Sequence, residues 1–145
     1  MAEIGTLLGG RYRLVELVGQ GGMATIYRAT DTQLGRDVAV KLLRSEYLRD
    51  PDFSSRFRFE ARSVASLTHP NIVGVHDYGE DPSGPFIVME LVDGEDLATI
   101  LRANGALPPR QAARIASAVA RALAAAHAKG TVSYTHLTLP TILLV

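Results

Sequence analysis

Lys41 stands in the run Val38-Ala39-Val40-Lys41-Leu42-Leu43, where every neighbour is apolar. A strand this apolar is expected to be covered on both faces, so the ammonium must reach water or find an anion. The chain holds two lysines against thirteen arginines, so composition alone does not explain a lysine here. An ammonium is a compact charge suited to phosphate oxygens; on an edge strand the same residue would instead guard the sheet against association. Glu60 poses the complementary question. Phe53, Phe57, Glu60, Val64 and Leu67 follow one another at separations of 4, 3, 4 and 3 residues, which puts the carboxylate on the apolar stripe of a helix. An unpaired buried carboxylate costs several kcal/mol, comparable with the net stability of a small domain. A cation must therefore stand close. Arg56, one turn earlier, and Arg62 offer a partner on a solvated face; Lys41 offers a second arrangement, a strand lysine held by a helix glutamate and aimed at nucleotide phosphates.

Upstream lies Val18-Gly19-Gln20-Gly21-Gly22-Met23-Ala24-Thr25-Ile26-Tyr27. Glycines at these positions let the backbone approach a ligand closely and turn its N–H groups toward phosphate oxygens. The same residues also suit a flexible hairpin turn, and a glycine cluster alone does not decide between the two. A dinucleotide-binding turn would need a strand before it and a helix after it. Strand-like residues flank both sides here, so that reading fails on context.

The elements that must position these groups change character once along the chain. Arg11–Val18, Thr25–Asp31, Asp37–Leu43, Asn71–Gly79 and Pro85–Val92 are short and rich in β-branched and aromatic residues, and predict five strands, with turns at Gly19–Gly22 and Gln33–Arg36. One helix interrupts them, opened by Asp50-Pro51 and stopped by His69-Pro70. From Leu97 the pattern is helical: one piece to Ala103 ended by Asn104-Gly105, then Pro108–Lys129 with Gly130 as cap and an apolar line through Ile115, Val119, Leu123 and Ala126. At 145 residues, 47% hydrophobic and with zero formal charge, the chain is long enough for a genuine core and carries no basic stripe for nucleic acid. The absence of cysteine excludes disulfides and thiolate metal sites and fits a reducing compartment. No signal peptide is visible, and no apolar run approaches the roughly 18 residues of a membrane span.

Taken in order, Gly19-Gln20-Gly21-Gly22-Met23-Ala24, Val38-Ala39-Val40-Lys41, the helix with Glu60-Ala61, His69-Pro70-Asn71-Ile72-Val73 and Phe86–Gly94 resemble the eukaryotic-like bacterial serine/threonine protein kinases over residues 9–130. Ala24 replaces the third loop glycine. The resemblance implies an α+β fold: a five-stranded antiparallel sheet with one helix and a hinge over residues 9–92, then the first helices of a truncated helical lobe over 93–130. It implies an ATP- and Mg²⁺-dependent transfer to protein hydroxyls, with ATP and protein substrates as partners and a cytoplasmic location for the domain. By that resemblance Lys41 holds the α- and β-phosphates and Glu60 fixes Lys41. The loop from Gly19 through Gln20, Gly21, Gly22, Met23 and Ala24 covers the phosphates. Val18, Ile26 and Ala39 enclose the adenine, Met89 is the gatekeeper, Glu90 and Val92 offer hinge backbone, and Asp96 contacts the ribose. The other reading is a pseudokinase or nucleotide-binding scaffold without catalysis.

After His127-Ala128-Lys129-Gly130 the family continues into a loop whose aspartate accepts the substrate proton and whose asparagine holds metal. This chain has no Asp or Glu after Asp96, and His136 has no acidic neighbour. Val132-Ser133-Tyr134-Thr135-His136-Leu137-Thr138-Leu139-Pro140-Thr141 resembles the in-frame translation of a sequencing-library adapter. That resemblance implies that residues from about 131 or 132 to 145 belong to no domain, and that the catalytic residues and metal ligands are not among those given.

Overall fold

The computed structural model describes residues 2–130; the adapter-like segment lies outside them. The described residues fall into two compact units, one running to Ser66 and resuming over Gly74–Leu91, the other made of Leu67–Val73 and the chain from Val92.

The first unit is an antiparallel sheet of six strands: β1 (Leu7–Leu8), β2 (Tyr12–Gln20), β3 (Ala24–Asp31), β4 (Arg36–Leu43), β5 (Val75–Asp81) and β6 (Gly84–Met89), in spatial order β1-β2-β3-β4-β6-β5. Five correspond to the expected strands. The sixth, β1, is two residues long, too short to leave a periodic signal, and extends the sheet beyond β2. The fifth strand begins at Val75 rather than Asn71. Register divides the sheet into two faces. Tyr12, Leu14, Tyr27, Ala29, Val38, Val40, Leu42, Phe86 and Val88 share one and form its core together with Leu8. Ile26, Ala39, Lys41, Ile87 and Met89 share the other, since Ile26 stands opposite Lys41, Lys41 opposite Ile87, and Ala39 opposite Met89.

The β3–β4 turn is built around Asp31, which is fully buried. Its Oδ1 accepts from the N–H groups of Gln33 and Leu34, its carboxylate accepts two bonds from Arg11 at 2.9 Å each, and Gly35 completes the turn at φ +64°. A side chain that mimics the backbone in this way is why Asp suits turn starts. Arg11, foremost, holds that carboxyl far below its ordinary value.

Helix α1 (Pro51–Ala65) opens as expected, with Asp50 Oδ1 accepting from Asp52 N–H at 2.9 Å and Pro51 in the first turn. It buries Phe57, Glu60, Ala61 and Val64 and packs on β5 and β6. The helix ends at Ala65, a turn before His69-Pro70, where Ser66 Oγ donates to Ser63 O and competes with helix continuation.

The second unit contains α2 (Leu97–Asn104) and α3 (Pro109–Ala128). Asp96 caps α2 and Gly105, at φ +71°, follows it. In α3 the buried line runs through Ala118, Ala122 and Ala126, while Ile115, Val119 and Leu123 lie half-buried beside it. The expected stripe is thus shifted toward Ala118 and Ala122, with Ala126 common to both.

Candidate active site

Lys41 leaves the middle of β4 on the face that α1 covers. Its Nζ stands 2.7 Å from Glu60 Oε1, with the two side chains 12% and 8% exposed. The strand lysine and the helix glutamate therefore meet, and Arg56, the rival cation, is exposed with its guanidinium 6.0 Å from the Phe53 ring. The pairing has a plain cause. Glu60 lies between Phe57 and Ala61 on the buried stripe, so docking α1 on the sheet carries the carboxylate inside, and a charge so enclosed is tolerable only beside its opposite. Among the described residues no buried side-chain polar atom lacks a hydrogen-bond partner.

The glycine stretch joins β2 to β3 as a hairpin. Gly21 N–H donates to Ala24 O at 2.8 Å, closing the turn over Gly22 and Met23. β2 is irregular as it approaches this turn, with register shifts between Leu14 and Glu16 and between Leu17 and Gly19. Extra residues of this kind bend a strand and increase its twist. Val18 falls in the second bulge and is 58% exposed, whereas Gly19 stands opposite Ile26 and Gln20 opposite Thr25. A Cβ built on Gly19 or Gly22 would meet nothing within 4 Å, so both border open space.

The last strand brings Met89, buried, beside Ala39, also buried. Glu90 follows. Its N–H donates to Gly74 O at 2.8 Å and its Oε2 accepts from Gly74 N–H at 3.2 Å, a reciprocal pair that pins the end of β6 to the start of β5. Val92 and Asp96 belong to the second unit. Both Asp96 oxygens are engaged as the α2 cap, Oδ1 by Thr99 N–H at 2.7 Å and Oδ2 by Thr99 Oγ1 at 2.9 Å, and these bonds hold its carboxyl below the ordinary value. Among the described residues no group of three or more His, Asp and Glu is placed to hold a metal ion.

Some contacts at the site carry no sequence signal. Arg44, just past β4, donates from its backbone N–H to Met23 O at 2.8 Å and from its guanidinium to Gly21 O at 3.4 Å. Arg58, exposed at the edge of α1 that faces β5, donates to Glu80 Oε1 at 2.6 Å, which also accepts from Tyr78 Oη at 2.9 Å. A cavity of about 360 Å³ opens on the opposite side of the sheet from Lys41, lined by Thr25, Tyr27 and Leu42 among others.

The chain as a whole, sheet and helices together, is matched by known proteins. The protein kinase domain family matches residues 12–144. The chain belongs to the protein kinase domain family. It is 48% identical over 135 residues to the serine/threonine-protein kinase PknA of Mycobacterium tuberculosis, covering 90% of this chain and 31% of that protein. It is 46% identical over 124 residues to PrkC of Bacillus subtilis, covering 86% of this chain and 19% of that protein. The chain thus spans under a third of the length of these relatives. Among solved structures, the PknI kinase domain of M. tuberculosis superposes with a TM-score of 0.77 at 32% identity, covering 90% of this chain and 52% of that one. Rad53 in complex with AMP-PNP matches with a TM-score of 0.70 at 30% identity, covering 83% and 31%. No described helix of this kinase chain is long and apolar enough to cross a membrane.

Proposed function

We propose that this chain is the nucleotide-holding part of a serine/threonine protein kinase, whose whole protein moves the γ-phosphoryl of ATP to protein hydroxyls. The observation that carries the reading is the Lys41–Glu60 pair, enclosed on the sheet face that also bears Ile26 and Ala39, at the foot of the glycine hairpin. ATP supplies the phosphoryl group; this chain's residues bind and orient it. The Lys41 ammonium, held at 2.7 Å by Glu60, is a fixed positive charge for the α- and β-phosphate oxygens. Gly19, Gln20, Gly21, Gly22, Met23 and Ala24 cover the phosphates; the Gly21 N–H is committed to Ala24 O, so the backbone donors come from the other loop residues. Val18, Ile26 and Ala39 enclose the adenine, with Met89 behind it. The Glu90 N–H is committed to Gly74 O, so what Glu90 offers the base is its carbonyl. A ribose contact from Asp96 would compete with Thr99 for its oxygens.

The described residues supply no metal site, so no step is assigned to Mg²⁺ here. The 145 residues hold no side-chain carboxylate after Asp96 to accept the substrate proton from a catalytic loop. On this reading the chain binds nucleotide and does not by itself transfer phosphate. The test is a thermal shift of the chain with ATP. A ligand present at 100 times its Kd stabilises the folded state by about 2.7 kcal/mol, so the melting temperature should rise with ATP concentration, and Lys41→Met should abolish most of the rise. An unchanged response in Lys41→Met would overturn the proposal.

A further inference from the structure

Arg44 lies outside the motifs that define the site, yet it touches the glycine hairpin twice. Its N–H donates to Met23 O at 2.8 Å and its guanidinium Nη1 donates to Gly21 O at 3.4 Å. The other terminal nitrogen, Nη2, is 2.5 Å from Glu46 Oε1. One guanidinium therefore bridges the Glu46 carboxylate, whose side chain is 53% exposed, and the tip of the hairpin, and both residues line the cavity on the side of the sheet away from Lys41.

The geometry of a peptide plane makes this consequential. In a trans peptide the C=O of one residue and the N–H of the next point in opposite directions. Drawing Gly21 O toward Arg44 turns the Gly22 N–H away from Arg44, and so away from the cavity that Arg44 lines. Glycine at 21 and 22 makes this orientation cheap to adopt and equally cheap to lose, so an external tether decides how often the amide faces the ligand.

We propose that Arg44, steadied by Glu46, is a positioning residue that orients the glycine hairpin for a nucleotide's phosphates. The inference rests on the nucleotide reading above. The positioning acts on phosphate recognition and leaves the adenosine portion alone, because Ile26, Ala39 and Met89 make no contact with Arg44 through these bonds.

The test compares ATP and adenosine as ligands of the full 145-residue chain by calorimetric titration, for wild type, Arg44→Ala, Arg44→Lys and Glu46→Gln. Arg44→Ala should weaken ATP roughly three- to tenfold, the range of one hydrogen bond, with adenosine changed less than twofold and Arg44→Lys between wild type and alanine. Glu46→Gln separates tethering from simple charge: removing a negative charge would tighten ATP if Arg44 acted only through its field, whereas loss of the tether's anchor weakens it. Equal losses for ATP and adenosine, no loss in Arg44→Ala, or tighter ATP binding in Glu46→Gln would overturn the inference. Should Arg44→Ala fail to fold, Glu46→Gln decides alone. A wild-type chain that binds neither ligand would refute the nucleotide reading itself, an outcome distinct from these.

Discussion

Truncating Glu60 to alanine leaves the Lys41 ammonium in place and removes the carboxylate 2.7 Å from it. Removing one member of a buried pair costs about 3–5 kcal/mol, because the remaining charge stays desolvated. Lys41 is 12% exposed and its flexible stem can bring the ammonium toward water, so the lower end, about 3 kcal/mol, applies. In a unit of fewer than about 100 residues, each kcal/mol moves the melting temperature by about 4–8 °C, so the drop should be about 12–24 °C. Replacing both charges with apolar residues of similar volume, as in Lys41→Met/Glu60→Leu, removes the desolvation cost along with the attraction and should restore stability to near or above wild type. Urea unfolding of wild type, Lys41→Met, Glu60→Leu and the double variant, followed by far-ultraviolet circular dichroism, gives the coupling free energy directly. ATP binding should be lost in all three variants, so stability and ligand response part company only in the double. Single variants within about 0.5 kcal/mol of wild type, the range of unremarkable surface changes, would refute the claim that the pair is buried and coupled.

Three further outcomes follow from the framework around the pair. Gly79→Ala would bring a Cβ to 2.4 Å from Phe86 Cζ inside the core, so overpacking should cost about 1–3 kcal/mol in urea unfolding. Asp50→Ala removes the α1 cap and should cost about 1 kcal/mol, with a parallel weakening of ATP binding because α1 carries Glu60. Asp31 is held ionised in the fold, chiefly by Arg11, so its folded pKa lies below the unfolded value of 3.8. Its stabilising contribution is full above that value and is lost as pH falls through and below it. Asp31→Asn should lower stability at neutral pH and flatten that acid limb in melting curves taken from pH 6 to 2.

The candidate site was legible where its chemistry conflicted with its surroundings. A lysine amid valines and leucines, and a glutamate in step with phenylalanines and valine, each demanded a partner, and the structure brings the two together. The glycine hairpin was legible because strand-like residues flank it on both sides. What could not be read depends on contacts between distant residues. The tether from Arg44 spans 23 residues to Gly21, and the bond from Gly74 to the Glu90 carboxylate spans 16, and neither leaves a periodic trace. At the early end of α1 a local side-chain bond at Ser66 competes with the helix, in addition to the proline downstream. In α3 the expected line runs through Ile115, Val119, Leu123 and Ala126; Ala126 is buried, but the other buried positions are Ala118 and Ala122, with the three larger residues half-buried. Helical spacing sets which residues share a side of the helix, and the size of the side chains then sets which of them lies deepest.

The decisive measurement is the map of backbone amide shifts when ATP is titrated into the nitrogen-15-labelled chain. Shifts should concentrate at Gly19–Ala24, Lys41, Glu60 and Glu90, and should largely vanish in Lys41→Met. Shifts confined to Tyr27, Leu48 and Ser83 around the cavity on the far side of the sheet, or no shifts at all at millimolar ATP, would contradict a nucleotide site built on the Lys41–Glu60 pair.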